Sequence, residues 1–194
     1  MRYILASGSP RRKELLSKVI PEFEIIPAVS EEVTTKEEPL EIVKELSYQK
    51  AREIFYKTLT DSRDRLVVIG ADTVVSYNHK ILGKPVDRRD AQAMVGMLQG
   101  RTHSVFTGVT VFYADGDEKE SFTFGECTLV NVADMSEEEI RDYVSSGESD
   151  DKAGAYGIQG LFSRFISGIE GDYFNVVGLP VARLYHELKS HNLL

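Results

Sequence analysis

Leu66-Val67-Val68-Ile69-Gly70-Ala71-Asp72-Thr73-Val74-Val75 is the stretch that decides the fold. Aliphatic and β-branched residues run without alternation on both sides of Gly70-Ala71-Asp72-Thr73, the pattern of a central strand buried on both faces. A carboxylate inside such a strand is the anomaly. Unpaired, Asp72 would cost several kcal/mol or take up a proton, so it requires a partner. A metal ion, a water to be deprotonated and the backbone amides of a strand end are the candidates. Strand C-termini in α/β sheets are also where ligand sites form.

Upstream, residues 2–6 read as a short strand, followed by Gly8, Ser9 as a helix N-cap, Pro10 in the first helical position and Leu15, Leu16 and Val19 as an apolar stripe. Phe23 to Ala28 reads as a second strand. An acidic, Thr-containing loop then leads to Pro39, which opens a helix with Ile42, Val43, Leu46, Ile54 and Phe55 at helical spacing and an end near residue 59. Downstream, a turn at Asn78 and His79 leads to a short strand and Gly83-Lys84-Pro85. Asp87 caps a helix carrying Ala91, Met94, Val95 and Leu98, which Gly100 ends. Val105 to Tyr113 and Ser121 to Val132 predict a long hairpin around Asp115-Gly116. Ser136 with Glu139 forms a capping box for a helix reaching about Ser145, and the glycine-rich segment 147–160 reads as an irregular, functional or crowded loop. A strand, a turn at Gly171 and a helix from Pro180 follow. Strands alternating with helices, without repeat or linker, give an α/β class.

The 194 residues, 42% hydrophobic and 28% charged, exclude a disordered or fibrous chain. One cysteine, Cys127, excludes a disulfide framework and a structural zinc site; mid-strand among hydrophobic neighbours, it reads as a small core residue. The densest apolar run is broken by Asp72, and Tyr3 to Ala6 is too short for a signal peptide, so a cytoplasmic protein is expected. Net charge is -8, with 16 basic and 15 acidic residues up to position 100 but 7 and 16 thereafter. Such a chain is a poor general binder of nucleic acid, and an RNA-binding accessory domain would need an aromatic-studded basic sheet. A local anion site remains open to it.

That site is suggested by Ser7-Gly8-Ser9-Pro10-Arg11-Arg12-Lys13, which combines a glycine turn, hydroxyls, a helix N-terminus and three cations. Free N–H groups and the helix dipole favour a phosphate there, and arginine forks to two of its oxygens. The plainer reading is a Ser-Pro cap with solvated arginines, although cations at that end oppose the dipole. Glu31-Glu32 could reach a hard cation or be a solvated surface pair. Lys50 and Lys84 are surface cations unless they converge on the same ligand. Asp151-Lys152 and Gln159 lie in the glycine-rich segment, where backbone could approach a ligand or merely turn. No P-loop, no dinucleotide fingerprint and no His-Glu-x-x-His occurs, and His79, His103, His186 and His191 are scattered.

Leu5-Ala6-Ser7-Gly8-Ser9-Pro10-Arg11-Arg12, Gly70-Ala71-Asp72-Thr73, Gly83-Lys84-Pro85, Gly100-Arg101-Thr102-His103-Ser104, Asp151-Lys152-Ala153-Gly154-Ala155-Tyr156-Gly157-Ile158-Gln159-Gly160 and Val177-Gly178-Leu179-Pro180 follow in one order. Together they closely resemble the Maf family over essentially the whole chain. The resemblance implies one Maf-like domain over residues 1–194, two-lobed without a separable linker. Its long mixed sheet would be flanked by helices, as in the related inosine triphosphatases, with a nucleotide cleft between lobes. It also implies a pyrophosphatase that cleaves a nucleoside triphosphate to the monophosphate and pyrophosphate with a divalent metal (Mg, Mn or Co). Ser7, Ser9, Arg11, Arg12, Lys50 and Lys84 would bind phosphate, Glu32 and Asp72 the metal, and Asp72 would be the general base. Arg11, Thr73 and Gln159 match the subgroup acting on dTTP and UTP, or modified pyrimidine nucleotides, rather than the 7-methyl-GTP subgroup. Phe162-Ser163 and Ser167-Gly168 depart from the family pattern at the rim. Family members are linked to inhibition of septum formation, so the rival expectation is a non-catalytic nucleotide-sensing partner of the division machinery; a homodimer is compatible with either.

Overall fold

The computed structural model describes residues 1–60 and 65–194. Strand β1 (Arg2–Leu5) pairs in parallel with both β2 (Glu24–Ile25) and β3 (Arg65–Tyr77), so that Ile4 stands opposite Glu24 on one side and Val68 on the other. Strand β4 (Lys80–Leu82) returns antiparallel on β3, with Val75 opposite Leu82, through a turn in which Asn78 and His79 take φ of 49° and 61°. Strands β5 (Thr102–Asp115), β6 (Glu118–Val132) and β7 (Ile166–Glu170) complete a seven-stranded mixed sheet of order β2-β1-β3-β5-β6-β7, with β4 attached to β3. Six helices accompany it among the described residues: α1 (Pro10–Leu16), α2 (Pro39–Thr58), α3 (Arg88–Leu98), α4 (Glu137–Ser145), α5 (Tyr173–Val177) and α6 (Val181–Ser190).

The chain forms two compact units. Met1–Asp72, Thr107–Glu126 and Gly178–Leu194 make the first; Thr73–Phe106 and Cys127–Val177 make the second. Strands β3, β5 and β6 each contribute to both, and Asp72 is the last residue of the first segment.

Two glycines seat α2 in the first unit. A Cβ on Gly70 would lie 2.5 Å from the Ser47 carbonyl oxygen and 2.7 Å from the Ala51 nitrogen, and one on Gly108 would lie 2.3 Å from the Val43 carbonyl oxygen. Backbone therefore touches backbone where β3 and β5 meet the Val43, Ser47, Ala51 stripe of the helix, an approach only glycine permits. Ile4, Ile54, Phe55, Leu66, Val68 and Phe112 fill the core on this face, each contributing about 1.5 to 3 kcal/mol of burial. Ser47 satisfies its buried hydroxyl on Thr110 at 2.9 Å, and Thr110 passes the chain of hydrogen bonds to Thr123 at 2.9 Å.

Several expectations are met through local chemistry. The Ser9 side chain caps α1, Asp87 caps α3 and the Ser136–Glu139 capping box opens α4. Gly100 follows α3 with φ of 65°, and Gly116 turns the hairpin with φ of 67°. Others are corrected. The second strand shrinks from residues 23–28 to Glu24–Ile25, because β1 itself ends at Leu5, opposite Ile25, where the chain turns toward α1; the Ile26 N–H still bonds Leu5 O at 3.1 Å. Helix α1 stops at Leu16, leaving Val19 in the turn that follows. Cys127 is exposed rather than a core residue, since alternation along β6 buries Thr128 and Val130 and turns Cys127 outward with Leu129. Helix α5 was not anticipated. Among the described residues no helix is long and apolar enough to cross a membrane.

Candidate active site

In the first unit, β1 delivers the chain to a helix N-terminus. The Ala6 N–H still bonds Ile69 O at 2.8 Å, after which Ser7 and Ser9 turn the chain into α1. Ser7 Oγ accepts from the Ser9 N–H at 3.3 Å and from Arg12 Nη1 at 3.3 Å, and Ser9 Oγ accepts from the Arg12 N–H at 3.4 Å. Arg12 Nε donates to Gly178 O at 2.9 Å, so its guanidinium is held at the strand end instead of solvated. Burial lowers the Arg12 pKa from its ordinary value, Asp72 opposes that shift, Arg11 adds to it and Glu32 again opposes it. The four charges therefore share one neighbourhood.

Asp72 finds a partner that none of the three candidates anticipated. Lys50 Nζ donates to Asp72 Oδ1 at 2.6 Å and lies 3.0 Å from Glu32 Oε1. The Lys50 and Asp72 side chains are only 14% and 12% exposed, which makes this a desolvated pair and not a surface one. Lys50 reaches Asp72 because Gly70 seats the neighbouring Ala51 directly on β3. Asp72 Oδ2 has no hydrogen bond among the described residues.

Glu32 is brought to Lys50 by a loop strapped along α2. Glu45, Gln49 and Glu53 recur every four residues on one helix face. Glu53 accepts from the Val29 and Ser30 N–H groups at 3.1 Å each, Gln49 both donates to Val33 O at 2.6 Å and accepts from its N–H at 3.3 Å, and Glu45 holds the Thr34 hydroxyl. Beneath the loop lies a cavity of about 370 Å³ lined by Ser30, Glu31, Glu32, Gln49, Lys50 and Glu53. No group of three His, Cys, Asp or Glu residues poised for a metal occurs among the described residues. Glu32 and Asp72 nevertheless converge on a single cationic nitrogen. Two carboxylates, with phosphate and water filling the other positions, are the donor set a hard divalent cation accepts.

The second unit holds Thr73, Lys84 and Gln159. Thr73 follows Asp72 on β3 and by alternation faces the other side of the strand. Lys84 and Gln159 are exposed and make no hydrogen bond or ion pair among the described residues. The glycine-rich segment is irregular as expected, with short 3₁₀ turns at Ala153–Ala155 and Leu161–Phe165. Its Gly154 N–H donates to Gly83 O at 3.0 Å, and a Cβ there would meet Val75 at 2.9 Å. That contact ties the segment to the loop carrying Lys84. Within that segment Lys152 Nζ donates to Glu148 O and Asp151 Oδ1, both at 2.7 Å.

His103 and Tyr156 were not singled out by sequence; their family motifs were the only signal. His103 Nε2 and the Tyr156 hydroxyl are hydrogen-bonded at 2.7 Å, and both residues are buried, while His103 Nδ1 is buried with no partner among the described residues. Burial pushes the His103 pKa down to about 4 from 6.5. The unfolded chain therefore binds the extra proton first. The stability contributed is fully present above pH 6.5 and is lost as the pH falls toward 4, by about 3 kcal/mol. Thermal unfolding between pH 7 and 4 is expected to show this loss, and His103→Phe to flatten that slope; an unchanged slope in the variant refutes the assignment.

The family model described as Maf-like protein matches residues 2–191. A protein of Agathobacter rectalis named dTTP/UTP pyrophosphatase is 53% identical over 96% of each chain. Another of that name from Lachnoclostridium phytofermentans is 48% identical over 98% of this chain and 95% of its own. The solved Staphylococcus aureus Ham1 protein covers 98% of this chain at 11% identity and a TM-score of 0.49, too distant to bear on the fold. With its motifs in order, its sequence matched from residue 2 to 191 and close relatives along its full length, this chain belongs to the Maf family.

Proposed function

We propose that this chain is a nucleoside triphosphate pyrophosphatase that converts dTTP and UTP to the monophosphate and pyrophosphate, with Asp72 as general base. The observation that carries the reading is the Asp72–Lys50–Glu32 cluster, in electrostatic contact with Arg12. Lys50 fixes Asp72 through Oδ1, so the Oδ2 lone pairs are free to take a proton from a water attacking the α–β phosphoanhydride. Ser7, Ser9, Arg11, Arg12 and Lys84 are assigned to the triphosphate oxygens, together with Lys50, whose ammonium also holds Asp72 and Glu32; the charge on those oxygens grows on the leaving pyrophosphate. Glu32 and Asp72 would hold a divalent cation (Mg, Mn or Co), which when bound supplies charge neutralisation and a more acidic water.

Base selection is assigned to Arg11, Thr73 and Gln159. An amide such as Gln159 donates to a carbonyl and accepts from an N–H, the edge that thymine and uracil present, and a base of other pattern leaves it unsatisfied by about 1 to 3 kcal/mol. The full-length relatives named dTTP/UTP pyrophosphatase support this substrate class. The test is pyrophosphate release from dTTP, UTP, CTP, GTP and 7-methyl-GTP. Wild type is expected to favour dTTP and UTP by roughly 5- to 150-fold in kcat/KM, and Gln159→Glu to erode that ratio. A wild type preferring 7-methyl-GTP, or ratios unmoved in the variant, sinks the assignment.

A further inference from the structure

Gln159 has no side-chain hydrogen bond of its own among the described residues, yet the backbone on either side of it is tied down by one carboxylate. Glu148 Oε2 accepts from the Leu161 N–H at 2.7 Å, and Glu148 Oε1 accepts from the Phe162 N–H at 3.5 Å. On the other side of Gln159, the Gly157 N–H donates to the Tyr143 hydroxyl at 3.3 Å, and that hydroxyl donates to Glu148 Oε1 at 3.2 Å. Glu148 thus brackets Gln159 two residues before it through Tyr143 and two residues after it directly.

The glycines around Gln159 show that this fit is close. A Cβ on Gly160 would sit 2.1 Å from Glu148 Oε2, and one on Gly157 would sit 3.3 Å from Glu148 Oε1 and 2.9 Å from Lys152 Cε. The carboxylate occupies the space a side chain would take at Gly160, and the Lys152 stem with the carboxylate behind it crowds that space at Gly157. The hub is rigid underneath as well: Tyr143 and Phe162 are fully buried, with ring centroids 5.0 Å apart. Desolvation first, and then the adjacent Glu148 charge, push the Tyr143 pKa upward, so its hydroxyl keeps the proton it donates to Glu148. Glu148 itself is an ordinary acidic residue by sequence, eleven positions before Gln159 and outside the motif that carries it.

We propose that Glu148 is a positioning residue for nucleobase selection: it sets the turn 157–162 so that the Gln159 amide is presented in one orientation. This rests on the assignment of Gln159 to the base. A carboxylate suits the task because two acceptor oxygens meet two backbone donors and a phenol at once. An amide in its place keeps one acceptor and sets an NH₂ against the remaining donors.

The experiment compares wild type, Glu148→Gln, Glu148→Asp, Gln159→Ala and the double variant Glu148→Gln/Gln159→Ala, using kcat/KM for dTTP and CTP and inhibition by inorganic tripolyphosphate; cytosine reverses the donor and acceptor that thymine presents, so an amide held in one orientation rejects it. Glu148→Gln is expected to lower the dTTP:CTP ratio about tenfold, carried mainly by KM for dTTP, with tripolyphosphate inhibition within about twofold of wild type. Glu148→Asp, which restores the two acceptors on a shorter arm, is expected to recover part of the ratio. Because Glu148 acts through Gln159, the double variant should match Gln159→Ala alone. A dTTP:CTP ratio that survives Glu148→Gln while falling in Gln159→Ala overturns the role of Glu148 and leaves the function intact. Additive losses, or a parallel loss of tripolyphosphate binding, overturn it in favour of general support of the fold. A wild type without preference for dTTP over CTP removes the base assignment and this inference with it.

Discussion

Replacing Asp72 by Asn is expected to lower turnover by roughly 10²- to 10⁴-fold while leaving nucleotide affinity within a few fold. The substitution is isosteric. An Asn carbonyl can still accept the Lys50 hydrogen bond that the carboxylate now accepts at 2.6 Å, so the seat of the side chain on β3 persists. What disappears is a basic lone pair at Oδ2 and one negative charge beside Arg12 and Lys50. Loss of that charge makes the protein's own groups more cationic, which offsets a weaker hold on the divalent cation that Glu32 and Asp72 would share and keeps KM within a few fold. The melting temperature, measured alongside, separates a chemical defect from a folding one. Near-normal turnover in Asp72→Asn would remove Asp72 as the base. The same assay addresses the sensing alternative, because a wild type that binds dTTP and releases no pyrophosphate needs no base, and the Lys50–Asp72 pair would then be only an ion pair that holds α2 to β3.

The anomaly at Asp72 was legible because it violates a local rule: an acid within an apolar run must be paired. Its partner was not legible. Lys50 lies 22 residues earlier on a helix, and only the seating of α2 on Gly70 and Gly108 turns that lysine from a surface cation into a buried counter-ion. Helix caps at Ser9, Asp87 and Ser136 could be read directly, since each depends on a side chain and a backbone N–H within three residues. Strand β2 is shorter than its β-branched content suggests for the opposite reason: pairing needs a neighbour, and β1 ends at Leu5, opposite Ile25. Cys127 lies on the exposed face despite its hydrophobic neighbours in sequence, because successive residues of a strand do not share a face. Glu148 left no sequence signal, because its role comes from backbone N–H groups that any residue would carry.

Arg12 is where the phosphate reading can be separated most sharply from a structural one. Its guanidinium already ties α1 to the segment before α6 through Gly178 O and braces Ser7, so removing it costs stability in either case. The phosphate reading predicts more. Arg12→Ala should weaken binding of an α,β-imido analogue of dTTP about 100-fold, since a charge-assisted fork to phosphate contributes about 3 kcal/mol, and leave thymidine binding nearly unchanged. Arg12→Lys should fall between, because a point charge survives while the fork and its two protein contacts do not. Rising salt should narrow the gap between wild type and Arg12→Ala only modestly, since a charge this far from bulk water is weakly screened. Calorimetric titration of both ligands into each folded variant decides the matter. Equal weakening of thymidine and the triphosphate analogue would move the phosphates away from Arg12 and leave it a brace between α1 and Gly178. A loss confined to the triphosphate puts Arg12 at the phosphates, and Arg12→Lys, which keeps the charge but drops the Ser7 and Gly178 contacts, separates a direct contact from the brace that Arg12 gives Ser7.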